Sequence, residues 1–304
     1  MRRAEVNSTG AAPPEVEAHP ERLRVVPLRH PGRWAGVALV GVLTLYAVDS
    51  VLTNPNFEWH VVFSWLFAQS ILRGVLLTVE LTVAAMAVGI GLGVVLAVLS
   101  LSPNPVLSGA ARLYVFVFRG VPVLVQILFW YFVAALYPQL RAGVPFTSLW
   151  VDLYPTRALI STFVAAILGL GLNEAAYVAE IVRAGISSVD RGQAEAAQSL
   201  GMTHARALRR IVLPQAMRVI VPPLGNETIS MLKTTSLVFV IALAELLTTV
   251  ELIYSRTFQT IPLLIVAVLW YLALTAVLSL GQHLLERRFG RSDLVYAARR
   301  PEAL

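Results

Sequence analysis

Cysteine is absent from the 304-residue chain, and lysine occurs once, at Lys233. Without cysteine there is no disulfide framework and no thiolate chemistry, and the redox compartment goes unread. Charge is scarce as well: 14% of residues are Asp, Glu, Lys or Arg, against roughly a quarter in an average soluble domain. A soluble core of this length needs far more polar surface, so an ordinary soluble globular protein is excluded. A phosphate-cradling loop ends in Gly-Lys-Ser or Gly-Lys-Thr. The single lysine follows Leu232, so the chain has no such loop and does not hydrolyse ATP through one. The five histidines (His19, His30, His60, His204, His283) form no i, i+4 pair, which predicts no metal site. No Ser, His and acid arrangement stands out, and the chain is expected not to be an enzyme.

What is present is apolar. Hydrophobic residues make up 57% of the chain and the mean hydropathy is +0.71, which excludes disorder and indicates a multi-span membrane protein. Six apolar runs are long enough to cross the hydrocarbon layer: 34–52, 74–100, 115–137, 158–182, 224–247 and 262–280. Each is expected to be helical, because hydrocarbon offers backbone polar groups no other partner. The first run is too long and too far in for a cleaved signal peptide and reads as a retained span. Gly89, Gly91 and Gly93, with Gly169 and Gly171, suit close helix packing. Residues 1–33 are polar and lack an apolar period, which predicts a flexible cytosolic tail, and 289–304 reads as a second tail.

The basic residues orient the spans. With both termini in the cytosol, 18 of the 24 fall on inner segments and four on outer ones (Arg73, Arg141, Arg157, Arg256), while Arg119 and Lys233 lie within spans. That asymmetry supports six spans with cytosolic termini, and it assigns the +6 net charge to topology rather than to nucleic-acid binding.

The 183–223 loop carries six of the inner arginines. By helical spacing Ala196, Ala197 and Leu200 share a face, Gly201 lets the chain turn out, and Pro214 is expected to end the following helix. On these grounds alone the loop could be an amphipathic connector on the membrane surface. Its residues, however, run Glu195-Ala196-Ala197, three residues, Gly201, nine residues, Ile211, one residue, Leu213-Pro214. This spacing resembles the EAA loop of permease subunits of binding-protein-dependent ABC importers. Arg119-Gly120-Val121-Pro122 with Gln126, Ala176–Ile181 with Arg183, Gly192-Gln193, Leu213–Ala216, Pro222–Asn226, Lys233 and Thr235–Leu237 are similar to the polar amino-acid permeases of that family. Thr234 stands where relatives often carry Asp, and Ala184 where they often carry Gly, so substrate preference is not carried over from the former segment.

The resemblance implies an all-α membrane fold with a five-helix permease core over 72–288, preceded by the extra 34–52 span. It implies that Glu195, Ala196, Ala197, Gly201, Ile211, Leu213 and Pro214 couple the chain to separate ABC ATPase subunits, which hold ATP and Mg; this chain binds no cofactor. It also implies a second permease subunit, identical or related, and an extracytoplasmic amino-acid-binding protein, all in the lipid bilayer of the cell membrane. The cargo is then a polar amino acid such as glutamate, glutamine, arginine or histidine. An ion-coupled secondary transporter or a channel is the alternative, but it gives the EAA spacing no purpose.

Polar residues within spans each need a reason, since an ionisable group there costs roughly 2.5–3.5 kcal/mol on insertion scales. Glu80, Asn173, Glu174, Tyr177, Lys233, Thr235 and Ser236 are the candidates for a substrate path. An amino-acid zwitterion needs both acceptors and donors, and this set offers both. Lys233 pairs either with a structural carboxylate such as Glu80 or Glu174 or with a substrate carboxylate. Glu180 and Arg183 are expected to form a structural ion pair at the cytosolic end of their helix.

Overall fold

The computed structural model describes residues 31–147 and 149–297. The tail expected at 1–33 lies almost wholly outside them, as do residues 298–304. The chain divides into a unit ending at Asn54 and a second unit beginning at Pro55. In the first, α1 (Pro31–Thr53) starts on a proline, whose missing N–H costs nothing in a first turn. Its 23 residues span about 34 Å and show no polar stripe, the pattern of a helix meeting lipid on all sides.

The second unit opens with α2 (Trp59–Leu66) and α3 (Gln69–Ser100). Then come α4 (Pro105–Gly120), α5 (Val123–Leu136), a hairpin of β1 (Gln139–Gly143) and β2 (Trp150–Pro155), and α6 (Thr156–Leu159). The remainder is α7 (Thr162–Ser187), α8 (Arg191–Ser199), α9 (His204–Ala207), α10 (Leu213–Thr234), α11 (Leu246–Thr257) and α12 (Thr260–Ala297). Helices α1, α3, α7 and α12 are long and apolar enough to cross a membrane. Two bent pairs, α4 with α5 and the His204–Ile241 stretch with α11, pass the same test together, so the described residues hold four candidate spans, or six if each bent pair is one span.

Those bends correct the expected continuous runs. The 115–137 span is broken at Val121-Pro122, where α4 and α5 meet at 102°. Proline lacks an N–H and disfavours helix in the residue before it, so Val121 is extended (φ −101°, ψ 131°). The 224–247 span is likewise interrupted: α10 passes into a 3₁₀ turn over Thr235–Ile241, and Ala242 is left-handed at φ 53° before α11 begins. Pro214 does not end a helix. Helical backbone runs unbroken from α9 through a π-helical turn at Leu208–Val212 into α10, and Pro214 sits directly after that turn, the kind of irregularity found where a helix lacks a donor. The hairpin is an addition that the apolar runs did not foretell; its strands pair antiparallel, with an irregularity between Leu140 and Arg141 and an Arg141–Asp152 ion pair at 2.6 Å.

The core forms where α3 and α7 pack. A Cβ at Gly93 would lie 2.6 Å from the Val178 Cβ and 2.9 Å from the Ala175 oxygen, so only glycine admits this approach. Leu81, Ala85 and Met86 of α3, Ile127 of α5, Leu170 of α7 and Met231 of α10 are buried together around it. A second cluster joins Val62, Ile71, Leu246, Val250, Leu263 and Val266.

A polar knot ties that second cluster. Glu245 is fully buried and caps α11, accepting the Thr248 amide at 2.8 Å and the Leu247 amide at 3.0 Å. The Thr248 hydroxyl and, from α12, the Tyr271 hydroxyl donate to it at 3.1 and 2.9 Å. Thr78 of α3 completes the knot by accepting the Leu246 amide at 3.1 Å. Every donor facing the carboxylate is thereby used, as hydrocarbon surroundings require.

Candidate functional site

The break between α4 and α5 creates the polar site. Pro122 has no N–H to give the carbonyl four residues earlier, so the Phe118 oxygen is left without its helical donor. Two side chains supply it: Asn173 Nδ2 of α7 donates at 2.7 Å and Gln126 Nε2 of α5 at 2.9 Å. The same Gln126 nitrogen reaches the Val121 oxygen at 2.8 Å. Nearby, the Tyr114 hydroxyl donates to the Leu172 carbonyl at 2.8 Å, fixing the end of α4 along α7. One turn on from Asn173, Tyr177 presents its ring to Arg119, whose Cζ lies 5.0 Å from the centroid.

Asn173 and Tyr177 therefore face α4. Glu174 turns to the other side and packs where a Cβ on Gly89 of α3 would meet its side chain at 2.6 Å. It is buried, and its Oε1 has no hydrogen-bond partner. Glu227 of α10 lies within electrostatic reach of Glu174 and of Arg119, and Glu180 within reach of Arg119. Arg183 grips Glu180 with both nitrogens, at 3.1 and 2.8 Å, which is the ion pair expected from their spacing.

The other expected path residues stand apart. Glu80 is exposed on α3, nine residues before Gly89, which is about 13 Å along a continuous helix. Lys233 is exposed near the end of α10, and no ion pair to it forms among the described residues. The Thr235 hydroxyl donates to the Leu232 oxygen at 2.7 Å and the Ser236 hydroxyl to the Lys233 oxygen at 2.7 Å, both local helical contacts. Arg119, Gln126 and Glu227 belong to the polar site but were not among the expected path residues, although Arg119 and Gln126 lie in a segment that carries the family resemblance. Pro122 was the available signal for Gln126, since an orphaned carbonyl in a membrane demands a donor.

In the 183–223 loop, α8 starts where Asp190 Oδ1 accepts the Gly192 amide at 2.7 Å. It ends with Gly201 left-handed at φ 78°, the Gly201 and Met202 amides donating to the Gln198 and Ala197 oxygens at 2.8 and 3.1 Å. That paired closure is the glycine-dependent way to finish a helix. Glu195 and Ala196 are exposed, Ala197 is buried, and Leu200 is 84% exposed, so the face expected from 196, 197 and 200 divides. Ile211 lies in the π-helical turn, while Leu213 and Pro214 open α10 with their side chains exposed.

Residues 89–291 match the family described as binding-protein-dependent transport system inner membrane component. The chain belongs to that family. An arginine transport system permease protein of Corynebacterium glutamicum is 43% identical over 278 residues, covering 91% of this chain and 86% of that protein. A glutamate/aspartate import permease protein of Escherichia coli O157:H7 is 34% identical over 233 residues, with coverages of 77% and 98%. Among solved structures, an amino acid ABC transporter crystallised with histidines matches with a TM-score of 0.63 at 36% identity, covering 76% of this chain and 98% of that one. The chain is thus a multi-pass inner-membrane permease of an amino-acid ABC importer.

Proposed function

We propose that this permease and a second permease subunit form the path of an ATP-driven importer for polar amino acids. An extracytoplasmic binding protein delivers the cargo, and separate ATPase subunits hydrolyse ATP with Mg. Closure of the ATPase pair is transmitted through α8 and its flanks, Glu195 to Gly201 and Ile211 to Pro214, and the spans alternate between inward-open and outward-open states. Both termini are cytosolic, in keeping with the distribution of basic residues.

The observation that carries this reading is α8 itself. A short, polar, glycine-closed helix leaves Leu200 uncovered, in a chain with no phosphate-binding loop of its own. Gly201→Asp tests it. A side chain there has open space around it but must adopt a left-handed backbone, costing about 1 kcal/mol. The helix end should shift while membrane insertion persists, and cargo-stimulated ATPase activity and uptake should both fall. Full transport by this variant would overturn the coupling role.

The path is proposed to contact the amino acid through Asn173, Glu174 and Tyr177, with Glu80, Lys233, Thr235 and Ser236 further along it. Support comes from the unpartnered buried Glu174 oxygen, a polar group otherwise costly to retain. Glu174→Gln or Glu80→Gln with unchanged uptake and unchanged ATPase stimulation would remove that residue from the path.

A further inference from the structure

Arg119 is held in an unusual way for a cation with two carboxylates, Glu180 and Glu227, in electrostatic reach. Its guanidinium lies 5.0 Å from the Tyr177 ring centroid, on the ring's face. Glu180 and Glu227 are within electrostatic reach, yet neither forms an ion pair with it inside 4 Å among the described residues. Glu180 is already committed to Arg183. Glu174, 5% exposed with an unpartnered oxygen, stands within reach of Glu227. The helix end that carries Arg119 is pinned from behind, through the Phe118 carbonyl and Asn173. Its side chain is exposed.

A ring face backed by carboxylates suits any flat cation, and its present occupant is tethered loosely, without the two-pronged carboxylate grip that would lock it. We propose that this is a guanidinium site which Arg119 fills when the path is empty, and that the cationic side chain of the transported amino acid displaces it. The inference rests on the path reading above and narrows the cargo to cationic amino acids. Arg119 then acts as a resident competitor. It raises the threshold for occupying Tyr177 and screens out neutral amino acids, which cannot replace its charge.

The test uses the assembled transporter, permease with its ATPase, in detergent and without the binding protein. Binding of radiolabelled arginine and glutamine is measured for the wild type, Arg119→Gln, Arg119→Lys and Tyr177→Leu, alongside uptake in proteoliposomes. Loss of the competitor should tighten arginine binding by about tenfold in Arg119→Gln, the size of one desolvated cation–ring contact. Glutamine binding should be unchanged. Arg119→Lys keeps the charge but not the flat stack and should bind arginine a few-fold tighter; it carries the test if Arg119→Gln fails to assemble. Tyr177→Leu should weaken arginine binding by about tenfold, and free guanidinium should compete with arginine in Arg119→Gln. Equal or weaker arginine binding in both Arg119 variants overturns the proposal. Wild-type uptake separates the two failures: if no polar amino acid is taken up, the path reading has failed, whereas normal uptake with no change at Arg119 defeats this inference alone.

Discussion

Glu245 offers the sharpest test of how the fold is held, because one carboxylate joins α11 to α12 beside α3. Glu245→Ala removes the cap of α11, worth about 1 kcal/mol. It also strands the Tyr271 hydroxyl and the Leu247 amide, at about 1–3 kcal/mol for each unpaired buried donor. No water is at hand to replace the lost acceptor, since Glu245 is fully buried. The sum is about 3–7 kcal/mol, or a fall in Tm on the order of 10–20 °C for a chain of this size class. Tyr271→Phe removes one donor and leaves the carboxylate its other partners, so about 1 kcal/mol and a few degrees are expected. Glu245→Gln should fall between them, since one amide oxygen can still accept from Thr248 while the NH₂ group meets donors. Thermal denaturation of the purified permease, followed by the surviving fraction on size exclusion, reads all three. If Glu245→Ala and Tyr271→Phe melt together, the carboxylate is not the hub described.

Two further perturbations probe the site's supports. Gly93→Ala gains about 1 kcal/mol in helix propensity but drives a methyl group against the Ala175 oxygen and Val178; a net loss of about 1–2 kcal/mol is expected, partly recovered by adding Val178→Ala. Gln126→Leu and Asn173→Leu should each cost about 1 kcal/mol, because the other side chain still serves the Phe118 carbonyl. The double variant should cost clearly more than their sum in the same melting assay, since that carbonyl then goes unpaired.

Much of this architecture can be read in the sequence where one physical constraint dominates. Apolar length marks the spans, and the EAA spacing marks α8, including the left-handed turn at Gly201. The Glu180–Arg183 pair follows from i, i+3 spacing alone. Reading fails where two constraints compete. Residues 115–137 look continuous because α5 is almost wholly apolar, and apolarity outweighs the single Val121-Pro122 signal. Pro214 looks like a terminator because proline removes a helical donor, yet the helix runs on through the π-helical turn just before it, an irregularity that side-chain spacing does not announce. Asn173, Glu174 and Tyr177 fit one helical face by spacing, yet Gly89 draws Glu174 to α3 while a backbone carbonyl draws Asn173 to α4. Backbone partners leave no mark in side-chain spacing: Pro122 hints at the orphaned carbonyl that Gln126 serves, but the backbone amides that donate to Glu245 have no such signal.

The central claim is that this chain moves amino acids only when a separate ATPase drives it. The direct measurement is uptake of radiolabelled polar amino acids into proteoliposomes holding the permease pair, its ATPase subunits and the binding protein. Uptake that requires ATP hydrolysis, and that collapses with Gly201→Asp while the complex stays assembled, is the predicted result. Uptake driven by an ion gradient alone, with no ATP present, would contradict it.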